Sequence, residues 1–276
     1  MNAGWYDLPR DMVQAVGPDA QTFLQSQVSQ DITKLSVGQS AWTFVLQPAG
    51  KVEVLARITR IGDADFVIDT DAGWGSALLA RLKRFKIRVK LELEPVNWHC
   101  IAVRGPGSAR VAVPEGCFAV ACGWSGHEGI DIIGPAPSAP EGLEEINLFD
   151  ADRLRIEAGW PAMGSEITEA TIPGETGLVP LAVSFTKGCY PGQELVERID
   201  SRGGNVPRRL RIIRGAGMFS TGDVIERDGD PVGTVTSVAM ADDGWLALGY
   251  VSRTVDVPAT LLCNGEAVTI EAAGMG

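Results

Sequence analysis

Short β-rich segments separated by tight-turn dipeptides fill the C-terminal part of the chain. Asp228-Gly229, Asp243-Gly244 and Asn264-Gly265 each divide runs rich in Val, Ile, Leu and Thr. Asp or Asn followed by Gly readily adopts the positive φ angles of two-residue hairpin turns, so each dipeptide predicts a reversal of the chain. Strands this short and this regularly spaced predict a small antiparallel β-barrel, which we place after a hinge at Gly203-Gly204.

Helical and strand patterns alternate in the first 204 residues. Helices are predicted where apolar residues recur every three or four positions, and strands where they alternate or run together. The predicted helices span residues 18–28, 75–85, 150–158 (with Asp150 as N-cap) and 193–199, and the predicted strands span 42–61 (two strands joined by a turn at 48–50), 66–69, 86–94, 97–103 and 129–133. With 276 residues and 45% hydrophobic content, the chain can bury the core of one to two domains. We therefore predict an α+β fold with domains at residues 1–204 and 205–276.

The octet Lys-Gly-Cys-Tyr-Pro-Gly-Gln-Glu at residues 187–194 places a single thiol in a bent loop. Glycine and proline allow the bend, and a predicted helix begins at Gln193. A helix N-terminus and a lysine two residues away both favour thiolate over thiol, so we predict a reactive Cys189 with Lys187 as its neighbouring cation. The alternative is a small buried hydrophobe in a turn, because free cysteine is among the most buried residue types.

The five cysteines, at positions 100, 117, 122, 189 and 263, form no Cys-x-x-Cys pair. Their scattered spacing argues against a disulfide framework and predicts no metal or cluster site of ordinary spacing. Cys117 and Cys122 lie among apolar residues and are predicted to pack in the core. Neither His99 nor His127 is near Cys189 in sequence, so nothing in the sequence favours a Cys-His hydrolase.

The net charge of −11 makes nucleic acid an unfavourable main partner, because an acidic chain repels a polyanion. Two basic windows, residues 81–90 and 208–214, depart from this balance. The first reads as a solvated strand face, and the second as either a solvated face or a cationic rim that binds carboxylates. No apolar run reaches the roughly 18 residues of a membrane helix and the N-terminus has no apolar signal core, so we expect a cytoplasmic protein without a membrane partner.

Four stretches carry a family resemblance. They are the octet, residues 17–51 with an opening helix and a Ser-x-Asp-Ile turn, residues 154–166 with an Arg-x-Glu-Ala-Gly block, and residues 229–250. Together they resemble the YgfZ family, whose members are folate-binding proteins related to the aminomethyltransferase of the glycine cleavage system. The resemblance covers most of the chain apart from residues 95–145.

The resemblance implies a multi-lobed, aminomethyltransferase-like N-terminal region with a ferredoxin-like portion, followed by the C-terminal β-barrel. It implies that the protein binds tetrahydrofolate, with polyglutamated forms bound more tightly. It further implies an accessory role in the assembly, maintenance or repair of iron–sulfur proteins, which would be its clients or assembly partners. In that role Cys189 would act as a redox or transient thiol group.

The same resemblance suggests which residues contact the folate. Glu169 is the candidate for the pterin edge, because an ionised carboxylate accepts two hydrogen bonds side by side. Arg208 or Arg209 resembles the arginine that meets the folate from the C-terminal side. Asp69 and Asp71 lie in the region of the aminomethyltransferases' catalytic aspartate. A solvated loop is the alternative for Glu169, and a capping or turn role is the alternative for the two aspartates.

Two other functions stay open at this point. One is a folate-dependent aminomethyl or one-carbon transferase, and the other is a non-catalytic folate-sensing module. Met163 stands where the aminomethyltransferases usually carry a tyrosine, and the cysteine octet is not needed for methylene transfer, so both features favour the accessory role. Glu157 is expected to be a structural partner of an arginine on its own helix or nearby.

Overall fold

The computed structural model describes residues 3–273 of the chain. Its helices are, in chain order, α1 (Ala20–Gln27), α2 (Gly75–Phe85), α3 (Leu148–Glu157), α4 (Val179–Ala182) and α5 (Gln193–Asp200). Its strands are, in chain order, β1 (Gly4–Asp7), β2 (Arg10–Val16), β3 (Ser40–Leu46), β4 (Val52–Gly62), β5 (Asp65–Asp71), β6 (Glu92–Val96), β7 (His99–Arg104), β8 (Phe118–Ala121), β9 (Gly129–Gly134), β10 (Glu144–Glu145), β11 (Arg208–Gly215), β12 (Val224–Arg227), β13 (Asp230–Ala241), β14 (Gly244–Ser252), β15 (Ala259–Cys263) and β16 (Glu266–Ala272). The predicted α+β class is confirmed.

These elements form two compact units, each assembled from separated stretches of chain. Unit 1 contains the chain up to Gly123 together with His127–Ile146 and Pro180–Leu195. Unit 2 contains Trp124–Gly126, Asn147–Val179 and the chain from Val196 onward. The sequence-based division cut the chain once, after residue 204, and that boundary stays a prediction.

Unit 1 contains two five-stranded sheets. The first has the order β3-β4-β5-β2-β6 and is antiparallel throughout. Helices α1 and α2 cover one of its faces, where Leu24 and Leu78 pack with Ile58 and Ile68 in a buried core. Burying each such side chain contributes roughly 1.5–3 kcal/mol, and the helical spacing of the apolar residues on α1 and α2 directs them to this sheet.

The second sheet of unit 1 has the order β10-β1-β7-β9-β8 and faces the first sheet. Met12 and Val67 from the first sheet pack with Cys100, Val120 and Ile133 from the second in one buried cluster. Because successive side chains of a strand point to opposite faces, the first sheet can pack on the helices with one face and on this sheet with the other. Unit 1 is therefore built as helices, sheet and sheet.

Unit 2 contains the predicted C-terminal barrel, which is confirmed as a closed, antiparallel barrel of six strands in the order β11-β14-β13-β12-β15-β16. Two of the predicted turn dipeptides have positive φ at their first residue, 56° at Asp228 and 52° at Asn264. Ile213, Val235 and Ile270 belong to the barrel core. Helix α3 packs on the outside of the barrel, where Ile156 meets residues of β11 and β14 in a second apolar cluster.

Three local predictions are wrong. The predicted strand at 86–94 is formed only by β6, because Arg88 adopts φ 57° and interrupts the extended chain before Glu92. The basic window at 81–90 is not a uniformly solvated face, since Arg81 is fully buried and donates to the carbonyl oxygen of Leu46. The N-cap of α3 is Asn147, whose side chain accepts a hydrogen bond from the amide of Asp150. No helix within residues 3–273 is long and apolar enough to span a membrane.

Candidate functional site

Cys189 lies on the connection between α4 and α5, and its side chain is exposed. Three of the other cysteines, Cys100, Cys122 and Cys263, are buried, and Cys117 is half-buried. The packing role predicted for Cys122 is therefore confirmed, while Cys189 is not a buried hydrophobe. Cys189, which the octet placed in a bent loop, is the exposed one of the five cysteines.

Lys187 is anchored to the last turn of α1 and to the segment that follows it. Its ammonium group donates to the carbonyl oxygens of Gln25 (2.6 Å), Val28 and Gln30 (3.2 Å), and lies 5.1 Å from the centre of the Tyr190 ring. A lysine at a helix C-terminus complements the negative end of the helix dipole. Burial lowers the pKa of Lys187 to about 8, although the charge of Asp31 opposes this shift. The sequence predicted Lys187 as the cation beside the thiol, and that role stays a prediction. In the structure the Lys187 ammonium group binds these carbonyl oxygens and so holds the loop.

Gln193 shapes the C-terminal half of the loop. Its side-chain oxygen accepts a hydrogen bond from the Tyr190 amide at 3.2 Å, and its own amide donates to the Tyr190 carbonyl at 3.3 Å. This reciprocal pair resembles the way a capping residue satisfies the free amides at a helix start. Tyr190 is buried, so the residue after the exposed thiol is fixed in the protein.

The turn between β3 and β4 supports the loop from one side. Gly50 and Gly192 both have positive φ, at 83° and 82°. A Cβ atom on Gly192 would lie 2.5 Å from the carbonyl oxygen of Gln47, and one on Gly50 would lie 2.4 Å from Cβ of Leu195. Two stretches of backbone therefore meet at a distance that only glycine permits.

The chain that enters the loop is held by the Ser-x-Asp-Ile turn. The Ser29 hydroxyl donates to the Ala182 carbonyl at 2.6 Å, the Gln30 side chain donates to the Leu181 carbonyl at 2.7 Å, and the Ser184 amide donates to the Ser29 carbonyl at 2.9 Å. Together with the Lys187 contacts, these bonds hold the N-terminal side of the loop, and the Tyr190–Gln193 pair holds its C-terminal side. Sequence reasoning did not identify Ser29, Gln30 or Gln193 as supporting residues, although all three lie in stretches that carry the family resemblance.

Asp69 and Asp71 both pair with arginine in unit 1. Asp69 is fully buried, and its carboxylate is shared by Arg10 (2.7 Å) and Arg57 (3.1 Å). Asp71, at the end of β5, pairs with Arg10 and keeps 31% of its side chain exposed. The contacts of Asp69 favour a structural role, whereas Asp71 retains solvent access.

The pair Arg57–Asp69 belongs to a larger buried network that links the two sheets of unit 1. We call the three arginines and three aspartates Arg10, Arg57, Arg104, Asp69, Asp71 and Asp131 the arginine–aspartate network. In it, Asp131 pairs with Arg57 at 2.6 Å and with Arg104 at 2.7 Å. Burial alone would raise the pKa of Asp131, but the charges of Arg104 and Arg57 lower it to about 2. The Trp42 ring lies 5.0 Å from the Arg57 guanidinium, a cation–π distance.

Unit 2 holds the remaining predicted binding residues. Glu169 lies in a turn, is exposed, and makes no hydrogen bond or ion pair within residues 3–273. Arg208 on β11 pairs with the buried carboxylate of Glu175 at 3.1 Å and stacks 4.2 Å from the centre of the Tyr250 ring. Arg209 donates to the Gly204 carbonyl at 2.9 Å. Glu175, which sequence reasoning did not identify, is thus the acidic partner of a predicted ligand-binding arginine.

Glu166 is the most heavily hydrogen-bonded carboxylate of unit 2. Its side chain is fully buried and accepts from Arg155 (3.1 Å), the Ala162 amide (2.9 Å), Thr236 (2.7 Å) and Ser237. This gives the arginine of the Arg-x-Glu-Ala-Gly block a structural role, because Arg155 pairs with Glu166, the last residue of the stretch 154–166. Glu157 pairs with Arg153 on its own helix at 3.0 Å, which confirms its predicted structural role.

The structure therefore groups the predicted residues within each unit. Lys187 and Cys189 share one loop of unit 1, and Asp69 and Asp71 share Arg10. Glu169, Arg208 and Arg209 belong to unit 2. Within residues 3–273 no group of three or more His, Cys, Asp or Glu side chains is arranged to hold a metal ion.

Comparison with known proteins gives these features a context. Residues 9–114 match the family described as the GCVT N-terminal domain. The chain is 26% identical to the mitochondrial aminomethyltransferase of Gallus gallus, over 89% of this chain and 73% of that protein. It is 28% identical to the tRNA-modifying protein YgfZ of Cronobacter sakazakii, over 83% of this chain and 78% of that protein.

One solved structure matches almost the whole chain. It is the crystal structure of the glycine cleavage system aminomethyltransferase T from Bartonella henselae, with a TM-score of 0.84 and 22% identity over 98% of this chain and 85% of that one. The predicted aminomethyltransferase-like fold is confirmed.

Proposed function

We propose a function for this chain from the premise that it is a YgfZ-type relative of the aminomethyltransferases. The protein binds a reduced folate and serves as an accessory protein in the assembly, maintenance or repair of iron–sulfur proteins. Cys189 is the reactive group in this role. Its partners are folate and iron–sulfur client or assembly proteins in the cytoplasm, without a direct contact to membrane or nucleic acid.

The observation that carries the proposal is the exposed thiol of Cys189 on a loop that is fixed at both ends. A cysteine used for packing would be buried, as Cys100, Cys122 and Cys263 are. A solvent-exposed thiol gains nothing from packing, yet here Lys187 and Gln193 hold the loop that carries it. Such rigid presentation suits a thiol that must meet a group on another molecule.

The hydrogen-bonding character and the charges of the predicted binding residues suit a reduced folate. The aminopyrimidine edge of a folate presents N–H donors, from which the exposed carboxylate of Glu169 can accept hydrogen bonds. Asp71, whose side chain is 31% exposed, lies in the region of the aminomethyltransferases' catalytic aspartate. Its glutamate tail carries carboxylates, which suit the guanidinium groups of Arg208 and Arg209. Asp69, buried between Arg10 and Arg57, acts through Arg10 to position Asp71. When bound, a reduced folate supplies a carrier for one-carbon units and a ring that is readily oxidised.

A folate-dependent aminomethyl transferase is the second candidate. The similarity to aminomethyltransferases over most of the chain supports it. Against it, Met163 stands where those enzymes usually carry a tyrosine, and the octet is not needed for methylene transfer. The two candidates differ in what purified protein does, because only the transferase releases ammonia and methylenetetrahydrofolate from an aminomethylated carrier.

Binding is tested by calorimetry with tetrahydrofolate as the monoglutamate and as a triglutamate. We expect binding of both, with the triglutamate tighter and more salt-sensitive, because charged pairs at exposed sites are screened by salt. Glu169→Gln should weaken both ligands, whereas Glu226→Gln, at an exposed glutamate on β12, should leave them unchanged. The absence of detectable heat with either ligand at high protein concentration would refute folate binding.

The role of the thiol is tested in cells that lack the protein. Iron–sulfur enzymes should lose activity there, most strongly under oxidative stress, and recover with the wild-type chain. Cys189→Ala should fail to restore them while keeping its folate affinity, and Cys117→Ala, at a half-buried cysteine, should restore them fully. Robust folate-dependent turnover by purified protein, insensitive to Cys189→Ala, would instead favour the transferase.

A further inference from the structure

Strand β11 carries four arginines, and they differ in how their charge is balanced. Arg208 pairs with Glu175 at 3.1 Å and Arg214 pairs with Glu271 at 3.3 Å. Arg209 and Arg211 have no carboxylate partner within residues 3–273. This is unexpected in a chain with 35 acidic and 24 basic side chains, where carboxylates are in excess.

Arg209 and Arg211 lie on the same face of β11. Side chains two residues apart on a strand point the same way, and β11 pairs with β14 without a bulge. Ile213, the next residue on that face, belongs to the barrel core. Arg211 stands opposite Ala272 in the first residue pair of β11 with β16, so Arg209 lies just beyond the part of β11 that β16 covers. Both arginines are half-buried at this end of the core.

Their hydrogen bonds leave most of their donors unused. Within residues 3–273, Arg209 donates a hydrogen bond to the Gly204 carbonyl at 2.9 Å. Arg211 donates one long hydrogen bond, at 3.5 Å, to the Leu210 carbonyl. Each guanidinium carries five N–H donors in a planar fork. Burial lowers the pKa of Arg211, and the positive charge of Arg209 lowers it further. Two like charges held together at a half-buried position destabilise the folded state unless an anion joins them.

We propose that Arg209 and Arg211 together bind an oxyanion that carries at least two negative charges. Their Cα atoms are about 6.6 Å apart from strand geometry, which lets two guanidinium forks converge on one phosphate or engage two neighbouring carboxylates. The two sources share this chemistry: a phosphate or diphosphate group, and the carboxylates of a γ-glutamyl tail. This site rests on the proposed function, because Arg209 is also a predicted residue for the folate tail. Arg211 is the added residue, and it favours anionic ligands.

The test uses two probes that lack a pteridine ring, pyrophosphate and γ-linked triglutamate, in calorimetry at constant ionic strength with chloride as the reference anion. At least one probe should bind the wild-type chain. Arg211→Gln should weaken that binding at least tenfold, because it removes one of the two forks. Arg211→Lys, which keeps the charge but not the fork, should weaken it less. Arg214→Gln serves as the matched control on the same strand and should change binding less than twofold, because Arg214 pairs with Glu271.

Each outcome decides a specific point. Binding of pyrophosphate alone identifies a phosphate ligand, and binding of triglutamate alone identifies the tail of a polyglutamate. Failure of both probes to bind at 10 mM overturns the proposal, as does equal weakening by Arg211→Gln and Arg214→Gln. Because neither probe contains a pteridine, their failure leaves the folate proposal untouched. Loss of folate binding with intact probe binding would refute the folate proposal alone.

Discussion

Replacing Lys187 with methionine should loosen the cysteine loop without unfolding the protein. Methionine keeps an unbranched apolar stem of similar length but removes the ammonium group that donates to the carbonyl oxygens of Gln25, Val28 and Gln30. A hydrogen bond that involves a charged group typically contributes about 1.5–3 kcal/mol to stability. Burial of the charge offsets part of this, as the lowered pKa of Lys187 indicates. We therefore expect a net loss of about 2–3 kcal/mol in the free energy of opening the loop, since the carbonyl oxygens also lose their donor.

Hydrogen exchange of two amides measures this loss directly. The Tyr190 amide donates to the Gln193 side chain and the Ser184 amide donates to the Ser29 carbonyl, so both exchange only when the loop opens. A loss of about 2–3 kcal/mol corresponds to exchange that is roughly 30 to 150 times faster. Lys34→Met, at an exposed lysine of the same unit, should leave both amides unchanged. If both amides in a folded Lys187→Met protein exchange within threefold of the wild-type rates, Lys187 does not anchor the loop.

Three further predictions concern the same unit. Iodoacetamide should modify Cys189 in the native protein well before Cys100, Cys122 or Cys263, as read by peptide mass spectrometry, and protection of Cys189 until unfolding would contradict its exposure. Asp131→Asn should lower the unfolding free energy of unit 1 by about 3–5 kcal/mol, because it leaves Arg57 and Arg104 buried without their shared partner. The pKa of Asp131 is lowered from 3.8 to about 2, so the difference from wild type should be complete above pH 4 and shrink towards pH 2; denaturant titrations that give a pH-independent difference would refute this. Gly192→Ala should accelerate exchange of the Tyr190 amide far more than Gly73→Ala does, since both glycines have positive φ but only Gly192 has a backbone oxygen 2.5 Å from the new Cβ; equal effects would mean that the close approach is not needed.

The features that sequence predicted well depend on neighbouring residues. The barrel follows from Asp-Gly and Asn-Gly turns between alternating strands, and all of that information lies within a few residues of each turn. The same holds for the exposed thiol, because the glycines and proline of the octet dictate a loop wherever they occur. The prediction of Asp150 as the cap of α3 was wrong because Asn147, three positions earlier, is also of a residue type that caps helices well.

The features that sequence did not predict depend on residues far apart in the chain. Asp131 meets Arg57 across 74 positions, and Lys187 meets the carbonyl of Gln25 across 162. No local pattern marks such pairs, so Asp69 could be assigned to a turn or a ligand but not to its arginine partners. Arg88 illustrates a different limit, because its positive φ breaks a strand whose alternation of residues is otherwise complete. The residues assigned to folate binding stay predictions, because their roles depend on a ligand and not on their neighbours in sequence.

The close approach of Gly50 and Gly192 has a consequence for protein engineering. The octet is contiguous in sequence, but the surface that supports it comes from the β3–β4 turn and from the residues after α1, more than a hundred positions earlier. Copying residues 187–194 into another scaffold would therefore transfer an accessible cysteine without transferring its orientation. A graft that retains the geometry of the thiol must carry three separate segments and keep Gly50 and Gly192, where two of their backbones meet.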